Sequence, residues 1–157
     1  MSGCLSAAAA PVWNQEDNIK EAAKHIALVH LKQGPQKAIE FIDACYRTHS
    51  LASEYSRAYE ACIVRDYLLA QVLAAQYAQI PPEERKKRRM PEPGAIAGAM
   101  GQRVAAAFQQ YNIPPSEADS FRAKVGEHGV PVFMDIAFPK AVEAAPEKGG
   151  KPGKKQK

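Results

Sequence analysis

The 157-residue chain is poor in the residue types that announce a chemistry, with three cysteines, one tryptophan and 8% aromatic residues overall. So few cysteines exclude a disulfide-dense scaffold, and ten glycines without a period exclude a collagen-like one. Long apolar runs are missing too: Lys, Arg, Glu or Asp interrupts every stretch that approaches the roughly 20 residues a membrane-spanning helix needs. None of the four histidines, His25, His30, His49 and His128, stands at a recognised ligand spacing from a second metal-binding side chain. A phosphate-binding loop is lacking as well, because no strand precedes the glycine-rich stretch Gly94 to Gly98 and no Lys-Ser or Lys-Thr follows it. The sequence therefore assigns no catalytic residue, no metal and no cofactor, and an enzyme is the least favoured reading.

Excess charge of either sign is missing from the body of the chain. The net charge is +4, and residues 139–157 hold six Lys against two Glu, so the whole imbalance sits in the tail. A basic stripe on a folded face, the usual footprint of nucleic-acid binding, is not required by the composition.

What is present is helical periodicity. The pattern predicts an all-α fold, a compact bundle of four or five helices with a long central helix and disordered N- and C-terminal ends. Residues 1–13 carry no charge and form a flexible or signal-remnant N-terminus, residues 14–138 form the helical domain with a polar basic linker at 82–93, and residues 139–157 form a Lys-rich tail. Met1-Ser2-Gly3-Cys4 resembles the last residues of a bacterial lipoprotein box, and Ala7 to Ala10 resembles the end of a secretory signal. Either likeness implies residues before Met1; a cytoplasmic protein is otherwise favoured.

A first helix starts at Asn14 or Asp17, buries Ile19, Ala23, Ile26 and His30, and ends at Gly34-Pro35. A second presents Ala38, Ile39, Ile42, Cys45 and Tyr46. The pair resembles one tetratricopeptide unit, but no second copy follows and repeat folds need about three, so no functional residue carries over. Leu51 to Ile80 contains no Gly or Pro and predicts the central helix, apolar on most of its circumference. Gly94 to Tyr111 predicts a helix whose Gly94, Gly98 and Gly101 imply close backbone packing, with Asn112 as its C-cap. Ser116 and Asp119 suggest a capping box for a last helix that Gly126 and Gly129 terminate, leaving Val130 to Phe138 extended or irregular.

Two states are open for Cys45 and Cys62: a disulfide, or two buried thiols. In a simple hairpin the two cysteines lie roughly 10 Å out of level, which favours thiols, although a loop running through Ser56 would remove most of the offset. Asp66 falls inside the apolar stripe of the central helix, so a Tyr hydroxyl, Arg47, Arg103 or a partner must answer it.

The leading expectation is a non-catalytic protein-interaction or assembly subunit, an adaptor that binds a protein partner or forms a homo-oligomer through Tyr55, Tyr59, Asp66, Tyr77, Gly94 and Gly98. Arg85, Lys86, Lys87, Arg88 and Arg89 form a five-cation run that would contact an anionic partner, so an RNA- or DNA-associated accessory protein using this loop and the Lys-rich tail is the alternative. A third reading is a small exported helical protein with a Cys45 to Cys62 disulfide.

Overall fold

A computed structural model describes residues 12–140. The expected N-terminal signal remnant and most of the Lys-rich tail lie outside the described residues. Among the described residues every regular element is helical, and no helix is long and apolar enough to cross a membrane.

Helix α1 spans Gln15–Gln33. The Asn14 side chain accepts the Asp17 N–H at 3.0 Å, and Glu16 and Asp17 place negative charge in the first turn, where the helix dipole favours it. One residue, Gly34, joins it to α2, Pro35–His49. Its φ of 87° and ψ of 173° lie in a region that is nearly closed to side chains, and its N–H still closes α1 on the His30 carbonyl. Pro35 then starts α2 with its φ already suited to a helix.

The central helix α3 is Arg57–Ala78, six residues later in its start than expected from the absence of Gly and Pro. Ser56 causes this: it sits in extended backbone and its Oγ accepts the Tyr59 N–H at 3.1 Å, so the preceding residues are left as a loop. The shift removes the level offset between the two cysteines. Cys45 on α2 and Cys62 on α3 form a disulfide with Cα atoms 5.7 Å apart, where the helical geometry had favoured free thiols. Closing a loop of this length contributes about 3 kcal/mol in the chain-entropy picture.

The expected linker is partly a helix, α4, Pro82–Lys87. It stops in a Schellman arrangement: Arg89 is left-handed at φ 53°, and the Met90 and Arg89 N–H groups bond to the Arg85 and Lys86 carbonyls. Helix α5, Pro93–Gln110, ends the same way through Asn112 at φ 54°, with the Ile113 N–H on the Phe108 carbonyl.

The last third departs most from expectation. Helix α6, Pro115–Lys124, begins after Pro114 without a side-chain cap, so Ser116 and Asp119 form no capping box. It runs through a π turn, Val125–Gly129, directly into α7, Val130–Ala137. Gly129 therefore does not terminate a helix. A Cβ there would stand 3.2 Å from Ile19 Cγ2 and 3.3 Å from Leu68 Cδ1, so its role is to let the chain approach α1 and α3. The π turn also accommodates Pro131, which has no N–H to give to an α-helical ladder.

Helix α3 is the axis of the bundle: α1 and α2 pack on it from one side and α5 from another, while α7 lies on α1. Buried residues surround α3, including Ile63, Val64, Leu68, Leu69 and Leu73. The all-α expectation and the central-helix assignment agree with this arrangement. Replacing Gly34 by Ala is expected to lower stability by about 1–3 kcal/mol in chemical denaturation, since no side chain fits that backbone without strain.

Candidate functional site

Helices α2 and α5 both rest on α3 and leave a groove between them. Its floor is Asp66, Leu69, Leu73 and Tyr77 of α3, and its walls carry Ile39 and Ile42 from α2 and Ile96 from α5. The volume is about 300 Å³, and most of the lining is aliphatic or aromatic. Pro91, just after α4, marks one end, and the other is polar, with Asp43, Asp66 and Arg103.

The polar end is tightly built. Asp66 is 3% exposed. Arg103 of α5 grips it with two bonds, Nε to Oδ2 at 2.9 Å and Nη2 to Oδ1 at 2.7 Å, and the Tyr46 hydroxyl of α2 donates to Oδ2 at 2.8 Å. Two of the three partner types expected for Asp66 are thus present together. The carboxylate bond raises the Arg103 pKa further, and burial together with the Asp66 charge pushes the Tyr46 phenol above the usual tyrosine range. A shallower depression lined by Asp43, Tyr46, Arg47 and Arg103 shares this end. Every carboxylate oxygen of Asp66 is engaged by a donor, which suits a structural pin and not a proton acceptor for a substrate.

The other proposed contact residues are not all brought here. Asp66 and Tyr77 line the groove, but Tyr59 is 3% exposed and Tyr55 is half-buried, and both lie behind the polar end, where the Tyr59 ring stands 5.9 Å from that of Tyr46. There they join Trp13 and Tyr111 in an aromatic cluster with ring centroids 5.2–6.3 Å apart, so they act as packing residues and not as a displayed face. Gly94 and Gly98 lie on the exposed side of α5, with nothing within 4 Å of where a Cβ would stand. The close intrachain packing expected of them does not occur among the described residues.

Arg85 is the clearest correction to the basic run. It is 8% exposed, and its guanidinium donates to the Tyr77 and Ile80 carbonyls at the end of α3 and to Glu92 Oε2. The Tyr77 carbonyl already accepts the Ile80 N–H, and the guanidinium adds a second bond there while capping the Ile80 carbonyl just past the helix, so Arg85 is not available to an anionic partner. Lys86, Lys87, Arg88 and Arg89 remain exposed next to the Pro91 end of the groove.

Two further residues, Glu60 and Arg65, escaped the sequence reading, and a third, His49, corrects the expectation that no histidine stands at a ligand spacing. Glu60 is fully buried and accepts bonds from Trp13 Nε1, Gln15 Nε2 and Asn18 Nδ2, each at 3.0 Å, and from the Tyr55 hydroxyl at 3.3 Å. The signal was its place four residues before Val64 and eight before Leu68, on the second apolar stripe of α3. Arg65 has no carboxylate partner among the described residues; it lies over the Phe41 ring and donates to Cys45 Sγ at 3.3 Å. His49 sits one turn beyond Cys45, and one ring nitrogen lies within 4.8 Å of both cysteine sulfurs. The Cys45-x-x-x-His49 spacing on one helix was the signal for that trio.

No protein-family model, curated protein or solved structure matches the chain.

Arg103→Ala is expected to cost about 2–3 kcal/mol, below the range for wholly enclosed ion pairs because the Arg103 side chain is partly exposed, with Asp66 left buried beside Tyr46 alone. Equilibrium denaturation measures it. Tyr46 and Tyr55 both titrate above the unfolded tyrosine value, so their contribution is complete below about pH 10 and declines above it as the unfolded chain loses those protons. Tyr46→Phe is expected to reduce that alkaline slope in denaturation curves run across the range.

Proposed function

We infer that this chain is a non-catalytic helical interaction subunit whose groove receives an amphipathic helix from a partner protein. The observation that carries this reading is the open apolar groove on the best-buried helix of the fold, built at one end on the ion pair between buried Asp66 and half-exposed Arg103. From Asp66 to Tyr77 the floor extends about 16 Å, three turns of a bound helix, which suits apolar anchors at i, i+3 or i+4, and i+7. Exposed cations stand near both ends, with Lys86, Lys87 and Arg89 near Pro91, where Arg88 is paired with Glu84, and Arg47 beside Arg103, where Asp43 also lies. The complementary partner is therefore a helix with an apolar face and acidic flanks. A fixed cleft lowers the ordering cost of binding, because only the incoming segment must become rigid.

A nucleic-acid role has less support: Arg85 is consumed by α3, and no aromatic side chain stands among the remaining four cations for base stacking. The exported reading draws its support from the disulfide, which persists in oxidising compartments.

The test uses a synthetic 16-residue helix with leucines on one face and glutamates at its ends, titrated by nuclear magnetic resonance. Shifts at Ile39, Leu73 and Ile96 are expected, together with about tenfold weaker binding to the Ile39→Glu protein. Ile39 is 37% exposed, so that change leaves the fold intact. Absence of binding, or equal binding by Ile39→Glu, discards the groove reading. Shifts confined to Lys86 to Arg89 with single-stranded RNA, weakening steeply with salt, would favour the nucleic-acid alternative.

A further inference from the structure

The disulfide lies in surroundings that a purely structural crosslink does not require. Cys45 is 7% exposed and Cys62 is fully enclosed, so the bond is shielded from solvent. The half-buried His49 ring adds a third metal donor, a nitrogen within 4.8 Å of both sulfurs. Beside them stands Arg65, whose Nη1 is 3.3 Å from Cys45 Sγ and whose Nε is buried without a hydrogen-bond partner. Its remaining polar neighbour is a histidine, His25 Nδ1 at 3.2 Å, and its flat face covers the Phe41 ring. A half-buried guanidinium with no carboxylate partner among the described residues is a cation held in readiness for a negative charge that the oxidised sulfurs do not provide.

We propose that, once the disulfide is reduced, Cys45, Cys62 and His49 bind one Cu(I) ion as a three-coordinate site with Arg65 as its counter-charge. The reduction is a two-electron step: a dithiol gives two electrons and two protons to the Cys45 to Cys62 bond, leaving two protein thiols and a cyclic disulfide. On metal binding each thiol releases its proton to solvent. With two thiolates and a neutral imidazole, the Cu(I) site has a net charge of −1, which the guanidinium cancels.

Ligand softness, ligand number and charge together favour Cu(I). Thiolates select soft metals. A structural zinc site wants four ligands, and the trio has three; zinc with the same set would also be neutral, leaving Arg65 without a counter-charge. The geometry is within reach: bonds of about 2.3 Å in a trigonal plane place two sulfurs about 4 Å apart. Cα atoms separated by 5.7 Å allow that by side-chain rotation alone. His49 belongs to the last turn of α2, whose hydrogen bonds to the preceding turn position it independently of the disulfide. This site lies on the α2–α3 contact and does not depend on what the groove binds.

The experiment uses the full chain with Cys4→Ser, so that two thiols remain, reduced with a dithiol and freed of it without oxygen. Cu(I) is titrated in competition with bicinchoninate, and Zn(II) in parallel with a zinc chromophore. The expected result is one Cu(I) per chain with a thiolate-to-metal ultraviolet band, both thiols protected from alkylation, and circular dichroism retaining the helices. His49→Gln, which keeps both thiols, is expected to weaken Cu(I) binding by about tenfold or more. Arg65→Met is expected to weaken Cu(I) and leave Zn(II) unchanged. The assignment is overturned by a folded reduced chain that takes up no Cu(I), by equal uptake in His49→Gln, or by tighter binding of Zn(II). A reduced chain that unfolds and does not regain its helices with Cu(I) overturns it as well.

Discussion

The pairing of Asp66 with Arg103 and Tyr46 ties three helices to one carboxylate. Asp66 belongs to α3, Arg103 to α5 and Tyr46 to α2, so this cluster determines how far apart the two outer helices stand where they meet the central one. A buried carboxylate would be expensive alone, and two bonds from a guanidinium plus one from a phenol satisfy it with directional geometry. Directionality is the important part. Apolar contacts would permit α5 to slide on α3, whereas a two-point grip on one carboxylate defines a register. The groove exists because its polar end is held while its aliphatic length is not filled from within.

The same constraint explains the other polar groups of the core. A helix surrounded by neighbours on nearly every side cannot direct its charged residues to water, so each must be answered inside. Glu60 is met by four neutral donors from Trp13 just before α1, from the first turn of α1 and from the loop before α3, which fastens the N-terminal end of the described chain to the axis. At the other end of α3, Arg85 donates to the Tyr77 carbonyl of the last turn and to the Ile80 carbonyl just beyond it. The central helix is thus held electrostatically at its start, middle and end, and by the disulfide near its start. Arg65 differs from Asp66 and Arg85, because among the described residues it has no partner of opposite charge and its Nε is buried without a hydrogen-bond partner.

Much of the fold was legible in local patterns. The single-residue junction at Gly34-Pro35, the cap at Asn14, the breaks at Pro81 and Pro114, and the apolar circumference of the central helix follow from backbone chemistry that each segment carries by itself. Asp66 was visible as a polar residue on an apolar stripe, with Arg103 among its expected partners. Less of the site was legible. Tyr59 was expected to contact a partner and is instead packed inside, and Arg85 reads as one cation among five until its carbonyl partners are in place.

The amino-acid sequence by itself determined the helical class, the approximate extent of most helices and the need for a partner at Asp66, because propensity, capping and periodicity act within a few residues. Tertiary structure alone decided that Gly129 passes through a helix, since the reason is the nearness of Ile19 and Leu68, residues 110 and 61 positions away in the chain. It also decided the union of Cys45 with Cys62 and the opening of a groove between α2 and α5. Each of these depends on the relative level and separation of helices packed on a common axis, a quantity that no local pattern of residues contains.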